Sequence, residues 1–201
     1  MAGKTLREGF TPSRAWRAAC AVAVAGAFIL LDRITKAAVL RNLVGADGMA
    51  TAPVPFIPGV LRLQFVANTG AAFSMGEGMG WVFVALAAAV VAGMAAYLLR
   101  APLCSKVEVA GLAMVAGGAV GNAIDRVVFG YVVDFLATEF IDFPVFNVAD
   151  IGITCGVVIA FAGFMFLSPA NKVDATAELD RRDAERRARR GAGGAKRDGG
   201  R

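Results

Sequence analysis

The sequence predicts a mainly α-helical, polytopic membrane protein with four transmembrane helices and a small extracytoplasmic β element. Three observations carry that expectation. Of the 201 residues 57% are hydrophobic and the mean hydropathy is +0.61, too apolar for a soluble chain that must cover its core with polar groups. Four segments, 18–31, 81–99, 109–124 and 151–167, contain no charged residue. Of the 21 Lys and Arg, 16 lie before residue 18, between residues 100 and 106, or after residue 171. Basic residues gathered this way mark the cytoplasmic side of a membrane protein.

Lys4, Arg7, Arg14 and Arg17 precede an Ala/Val run, as in a signal peptide. The run continues into Asp32-Arg33-Ile34-Thr35-Lys36 without a good cleavage site, which predicts an uncleaved first helix. The uncharged stretches are 14, 19, 16 and 17 residues long, whereas a bilayer core of about 30 Å needs roughly 20 helical residues. Only the second spans unaided. The others span by including residues 32–40, Lys106 with 125–129, and 147–150, which carries polar groups into the membrane.

Four spans place both tails and the 100–106 loop on the cytoplasmic side, with 41–80 and 128–146 outside. Asp134 follows the third helix and Asp150 opens the fourth, so both reach the outer face. Within 51–74, Pro53, Pro55 and Pro58 oppose a helix. The alternation over 59–66 reads as a strand lying against the outer leaflet. The predicted domains are a cytoplasmic tail 1–15, a four-helix unit 16–168 and a charged cytoplasmic tail 169–201. That last tail carries one charged helix near 176–190 followed by disorder, and it contacts water or lipid headgroups rather than nucleic acid.

The chain has no histidine, which excludes Ser-His and Cys-His catalysis and the common zinc ligand sets. Cys20, Cys104 and Cys155 show no CxxC spacing. Cys20 and Cys155 read as small buried hydrophobes. A phosphate-binding glycine loop and a Gly-x-Ser-x-Gly elbow are also missing from the sequence. Carboxylates are therefore the main reactive equipment, and no metal or cofactor is expected.

Asp32 and Lys36 are spaced to share a helix face, where an ion pair would ease insertion. Gly118, Asn122 and Asp125 follow the same helical row, beside Arg126. Glycines keep that helix slim, and the polar groups fit interhelical contacts. Asp125 next to Arg126 reads as ionised and structural. Asp134 and Asp150 sit among apolar neighbours, with Asn147 three residues before Asp150. Desolvated carboxyls that share a site hold one proton between them and suit acid–base work. Asp150 could alternatively be a helix N-terminal acid favoured by the macrodipole. A proton-coupled transporter and a non-catalytic adaptor are the competing classes.

The blocks Asp32-x-x-x-Lys36, Asn68-Thr-Gly-Ala-Ala-Phe73, Gly117-Gly-Ala-Val-Gly-Asn122-Ala-Ile-Asp125-Arg126, Val132-Val-Asp134-Phe and Phe146-Asn147-Val-Ala-Asp150 resemble, in order and spacing, those of the lipoprotein signal peptidase (signal peptidase II) family. The resemblance covers about residues 16–168. It implies an aspartyl protease of the bacterial cytoplasmic membrane, without metal or cofactor, that removes signal peptides from prolipoproteins by cutting before the diacylglyceryl-modified cysteine. It puts the catalytic pair on Asp134 and Asp150. The supporting positions are Asp32, Lys36, Asn68, Gly70, Asn122, Asp125, Arg126 and Asn147. It further implies lipid-modified prolipoprotein substrates, contact with membrane lipids, inhibition by globomycin and an extracytoplasmic β element over the site. A monomer is expected.

Overall fold

The computed structural model describes residues 11–70, 76–101 and 103–168, together with Ala184. The first ten residues, the second half of the 68–73 block and the charged tail beyond 168 (apart from Ala184) lie outside the described residues.

Helix α1 (Arg14–Asn42) starts where the Ser13 side chain accepts the Trp16 N–H at 3.2 Å, satisfying one of the four unpaired donors of the first turn. It runs unbroken through the apolar stretch and the charged Asp32–Lys36 segment. Strands β1 (Val54–Ile57) and β2 (Leu61–Asn68) follow, then α2 (Gly80–Arg100). Helix α3 (Lys106–Phe129) opens with a reciprocal cap, in which Ser105 and Glu108 each take the other's backbone N–H. It ends at Gly130, whose φ of 81° closes the helix in the left-handed region. Strand β3 (Val132–Thr138) leads to α4 (Val148–Ala162), which continues through a π-helical turn to Leu167.

The helices over 14–42, 80–100, 106–129 and 148–167 are each long and apolar enough to cross a membrane. Their polar ends are helical, as the lengths of the uncharged stretches required. Large apolar side chains point outward, among them Trp81, Leu86, Val158, Phe161 and Phe166, which suits a lipid surround.

Helix α3 is the central post and packs on the other three. Its glycines make this possible. A Cβ at Gly118 would collide with the carbonyl oxygen of Ala149, and one at Gly111 with the backbone nitrogen of Ala160. Small residues thus bring α3 and α4 backbone to backbone.

The sheet is antiparallel in the order β1-β2-β3, with Val66 opposite Asp134, Asn68 opposite Val132, and a bulge between Leu63 and Val66. Val133 and Phe135 pack on Val39 and Leu43 at the end of α1. The sheet therefore caps one end of the bundle, where α1 and α3 finish and α4 begins.

Two sequence expectations change. The segment 128–146, read as an outer loop, contains the whole of β3. All but one of its residues are buried, so it lacks the alternation that revealed β2. Cys155 is exposed and Cys104 is the fully buried cysteine. An apolar run on a membrane helix serves outward and inward faces alike, so composition does not say which way a side chain points.

Candidate active site

Five elements deliver polar side chains to the sheet-capped end of the bundle. Asp134 arrives on β3, and Asn68 sits on the neighbouring β2. Asn122, Asp125 and Arg126 come from the last turns of α3, Asp32 and Lys36 from α1, and Asn147 with Asp150 from the start of α4.

Asp134 and Asp150 line one cavity of about 680 Å³, together with Asn68, Asn122 and Arg126. Most of its remaining wall is apolar, from α2, α3 and α4 and from Phe143 to Phe146. Four amide contacts fix the two carboxylates. Asn68 Nδ2 donates to Asp134 Oδ2 at 2.8 Å, and Asn147 Nδ2 donates to Asp134 Oδ1 at 2.6 Å. Asn122 Nδ2 donates to Asp150 Oδ1 at 2.8 Å, and the Asn147 backbone N–H donates to Asp150 Oδ2 at 3.1 Å. Asn147 Oδ1 in turn accepts the Asp150 N–H at 3.0 Å. Asp150 is therefore the N-terminal helix acid foreseen as an alternative, and it also faces the cavity.

Asp134 is 2% exposed. Burial, reinforced by the nearby Asp150 carboxylate, raises its pKa from 3.8 to about 7, while hydrogen bonds from Asn68 and Asn147 and the charge of Lys36 pull the other way. Desolvation wins. A carboxyl that would be ionised in water thus holds or releases its proton near neutrality.

Behind this pair lies a second set of charges. Lys36 Nζ contacts Asp32 Oδ2 at 3.0 Å and Asp125 Oδ2 at 2.8 Å, and donates to Asn122 Oδ1 at 2.9 Å. Arg33 contacts Asp125 Oδ1 and Asp32 Oδ2, each at 2.7 Å. The expected Asp32–Lys36 pair is present, but as one side of a four-charge cluster. Asp125 is ion-paired by Arg33 and Lys36, not by its sequence neighbour Arg126. Adjacent residues on a helix point about 100° apart, so adjacency does not make a pair. Arg126 instead donates to the Gly70 carbonyl at 2.8 Å and to the Asn122 carbonyl at 3.4 Å, and stacks over Phe83 at 4.9 Å.

All ten residues singled out in the sequence converge here. Arg33 was missed. An arginine at membrane depth is costly and was itself a signal, but the i, i+4 spacing of Asp32 and Lys36 drew the reading to Lys36. Among the described residues no group of three or more His, Cys, Asp or Glu could hold a metal ion.

Four helices long and apolar enough to span, with one buried and one half-buried carboxylate lining a single cavity, define the class as a multi-pass membrane protein with a polar site at one end of its bundle. The family profile described as Signal peptidase (SPase) II matches residues 24–166. The chain belongs to that family, which makes it a protease of signal-peptide removal and a multi-pass bacterial membrane protein. It is 44% identical over 135 residues to a lipoprotein signal peptidase of Symbiobacterium thermophilum, covering 66% of this chain and 86% of that one. It is 36% identical over 159 residues to one of Geobacillus thermodenitrificans, covering 78% and 96%. Two solved structures of bacterial membrane enzymes, obtained by the in meso method at 2.3 and 1.9 Å, each superpose with a TM-score of 0.63 at 25% identity. They cover 72% and 73% of this chain, and 87% and 92% of their own.

Proposed function

We propose that this chain is an aspartic-type endopeptidase that removes signal peptides from diacylglyceryl-modified prolipoproteins, cutting before the lipidated cysteine with Asp134 and Asp150 as the catalytic pair. One observation carries the reading. The two carboxylates line the same largely apolar cavity and are bridged by a single residue, Asn147. The names of relatives at 36–44% identity, all lipoprotein signal peptidases, support the substrate class.

The chemistry follows from a pair that holds one proton. The ionised member takes a proton from water as the oxygen attacks the scissile carbonyl carbon. The protonated member donates to the carbonyl oxygen, giving a neutral tetrahedral diol. Collapse breaks the C–N bond: one carboxyl gives its proton to the departing cysteine nitrogen, while the ionised partner takes a hydroxyl proton from the diol as the carbonyl re-forms. The products are a free carboxylic acid and a free amine, and the pair recovers its single proton. Arg126, Asn68, Asn122 and Asn147 hold the site in place, with Gly70 contributing its carbonyl.

In this reading residues 16–168 form the protease unit and both termini lie in the cytoplasm, as the basic clusters require. The carboxylate pair then faces the outer surface, where a lipid-modified cysteine meets water. The enzyme works as a monomer among membrane lipids and is inhibited by globomycin-type cyclic peptides.

The test is cleavage of a diacylglyceryl-modified prolipoprotein by purified protein, with and without globomycin. Asp134→Asn and Asp150→Asn should each remain folded and membrane-inserted while losing ~1,000-fold or more in turnover. Cleavage retained by either variant would remove that residue from the pair.

A further inference from the structure

Each carboxylate of the charge cluster behind the cavity reaches the backbone one residue before a proposed catalytic aspartate. Asp125 Oδ2 accepts the Val133 N–H at 3.1 Å, directly ahead of Asp134. Asp32 Oδ1 accepts the Ala149 N–H at 3.1 Å, directly ahead of Asp150. Both carboxylates are fully buried, where an uncompensated charge is costly, and two positive charges offset them. Lys36 supplies one, and it also fixes Asn122, whose amide holds Asp150. Arg33 supplies the other. Its planar fork spans the two carboxylates, and Nη2 also donates to the Gly121 carbonyl at 3.1 Å.

We propose that Arg33 is a positioning residue of the active site, closing a charge-neutral quartet with Lys36, Asp32 and Asp125 that sets the backbone ahead of Asp134 and Asp150. The inference rests on the assignment of those two residues as the catalytic pair. Removing Arg33 leaves two carboxylates sharing one ammonium, and the quartet's charge falls from zero to −1. Lys36 is then drawn toward the carboxylates and away from Asn122, and both backbone anchors loosen. The charged groups facing Asp134 are Asp150 from α4, Lys36 from α1 and Arg126 from α3. Extra negative charge behind this set makes Asp134 keep its proton to higher pH.

Three variants, assayed per folded molecule with the lipid-modified precursor, test this. Arg33→Leu should lower kcat by about 10- to 100-fold, the range that small misplacements of reacting groups produce. Its KM should move by less than about twofold, because Arg33 does not line the cavity, and the alkaline limb of its pH profile should shift upward. Arg33→Lys keeps the charge without the fork. It should show an intermediate kcat with the wild-type limb. The double variant Asp32→Asn, Arg33→Leu is neutral again and keeps an amide oxygen for the Ala149 N–H. Its alkaline limb should return to the wild-type position.

An Arg33→Leu protein with wild-type kcat and profile overturns the proposal. So does a raised KM at unchanged kcat, or a lower yield with full turnover in the molecules that fold. A double variant whose limb stays shifted removes the charge-balance argument. Wild-type protein that fails to cleave strikes the functional reading instead, which keeps the two failures apart.

Discussion

The side-chain amide of Asn147 lies 2.6 Å from Asp134 Oδ1, while its backbone N–H donates to Asp150 Oδ2 at 3.1 Å. One residue therefore holds both carboxylates. It does so because it is also the N-cap of α4, a position that frees its side chain from the helix and aims its own N–H at the third residue on. Helix capping and active-site geometry are the same set of bonds.

Asn147→Ala should accordingly affect stability and catalysis together. Loss of the cap should lower thermal stability by about 1 kcal/mol. Loss of a donor preset on a reacting carboxylate should lower turnover by about 100- to 1,000-fold. Thermal unfolding and single-turnover cleavage on the same sample separate the two effects. Unchanged turnover would mean that the amide does not set the pair.

Asp134 predicts a pH dependence with a definite sign. Its pKa is about 7 in the folded protein against 3.8 for the free side chain. A raised folded value means that its contribution to stability is complete below pH 3.8 and fades as the pH rises through about 7. Asp134→Asn has no proton to lose there. Above pH 7 the variant should be inactive yet more stable than wild type, by about 4 kcal/mol for a shift from 3.8 to about 7 at roughly 1.4 kcal/mol per pKa unit. Unfolding measured at pH 5 and pH 8 checks this, and a wild type favoured equally at both values contradicts it.

The glycines of α3 offer a structural contrast. Gly118→Ala should push α4 off its seat, because the new methyl meets the Ala149 carbonyl beside the Asp150 helix start. A loss of about 1–3 kcal/mol is expected from overpacking, with reduced turnover. Gly26→Ala on α1 meets nothing within 4 Å and should be neutral or slightly stabilising. Expression in membranes and thermal unfolding distinguish the pair.

Arg126→Lys retains the positive charge but cannot keep a planar contact over Phe83 while donating to both the Gly70 and Asn122 carbonyls. Turnover per folded molecule should fall about tenfold, with yield near wild type. A drop in yield alone would return Arg126 to a purely architectural role.

Much of this was legible from residue order. The four spans follow from uncharged runs, and the polar groups at their ends follow from those runs being too short. β2 showed through its alternation. β3 did not, because all of Val132–Ala137 is buried and gives no period-two signal. Asp134 thus reads as lying on a loop at the same end as Asp150; the two do line one cavity, but Asp134 sits on a strand. Arg33 escaped because its two charged partners are a neighbour in sequence and a residue 92 positions away. Local spacing detects a helix-face pair such as Asp32–Lys36. It does not detect a side chain that reaches across to a second helix.

The central role of α3 has a consequence for how the protein comes into being. Spans enter the membrane in chain order, and Asp150 with its cap Asn147 arrives on the last of the four. Until that segment has seated against the glycine face of α3, Asp134 has its contact with Asn68 but neither Asn147 nor Asp150, so the proposed pair is incomplete. On the proposed assignment, a protease made this way stays silent throughout its own synthesis and switches on in the step that completes its insertion.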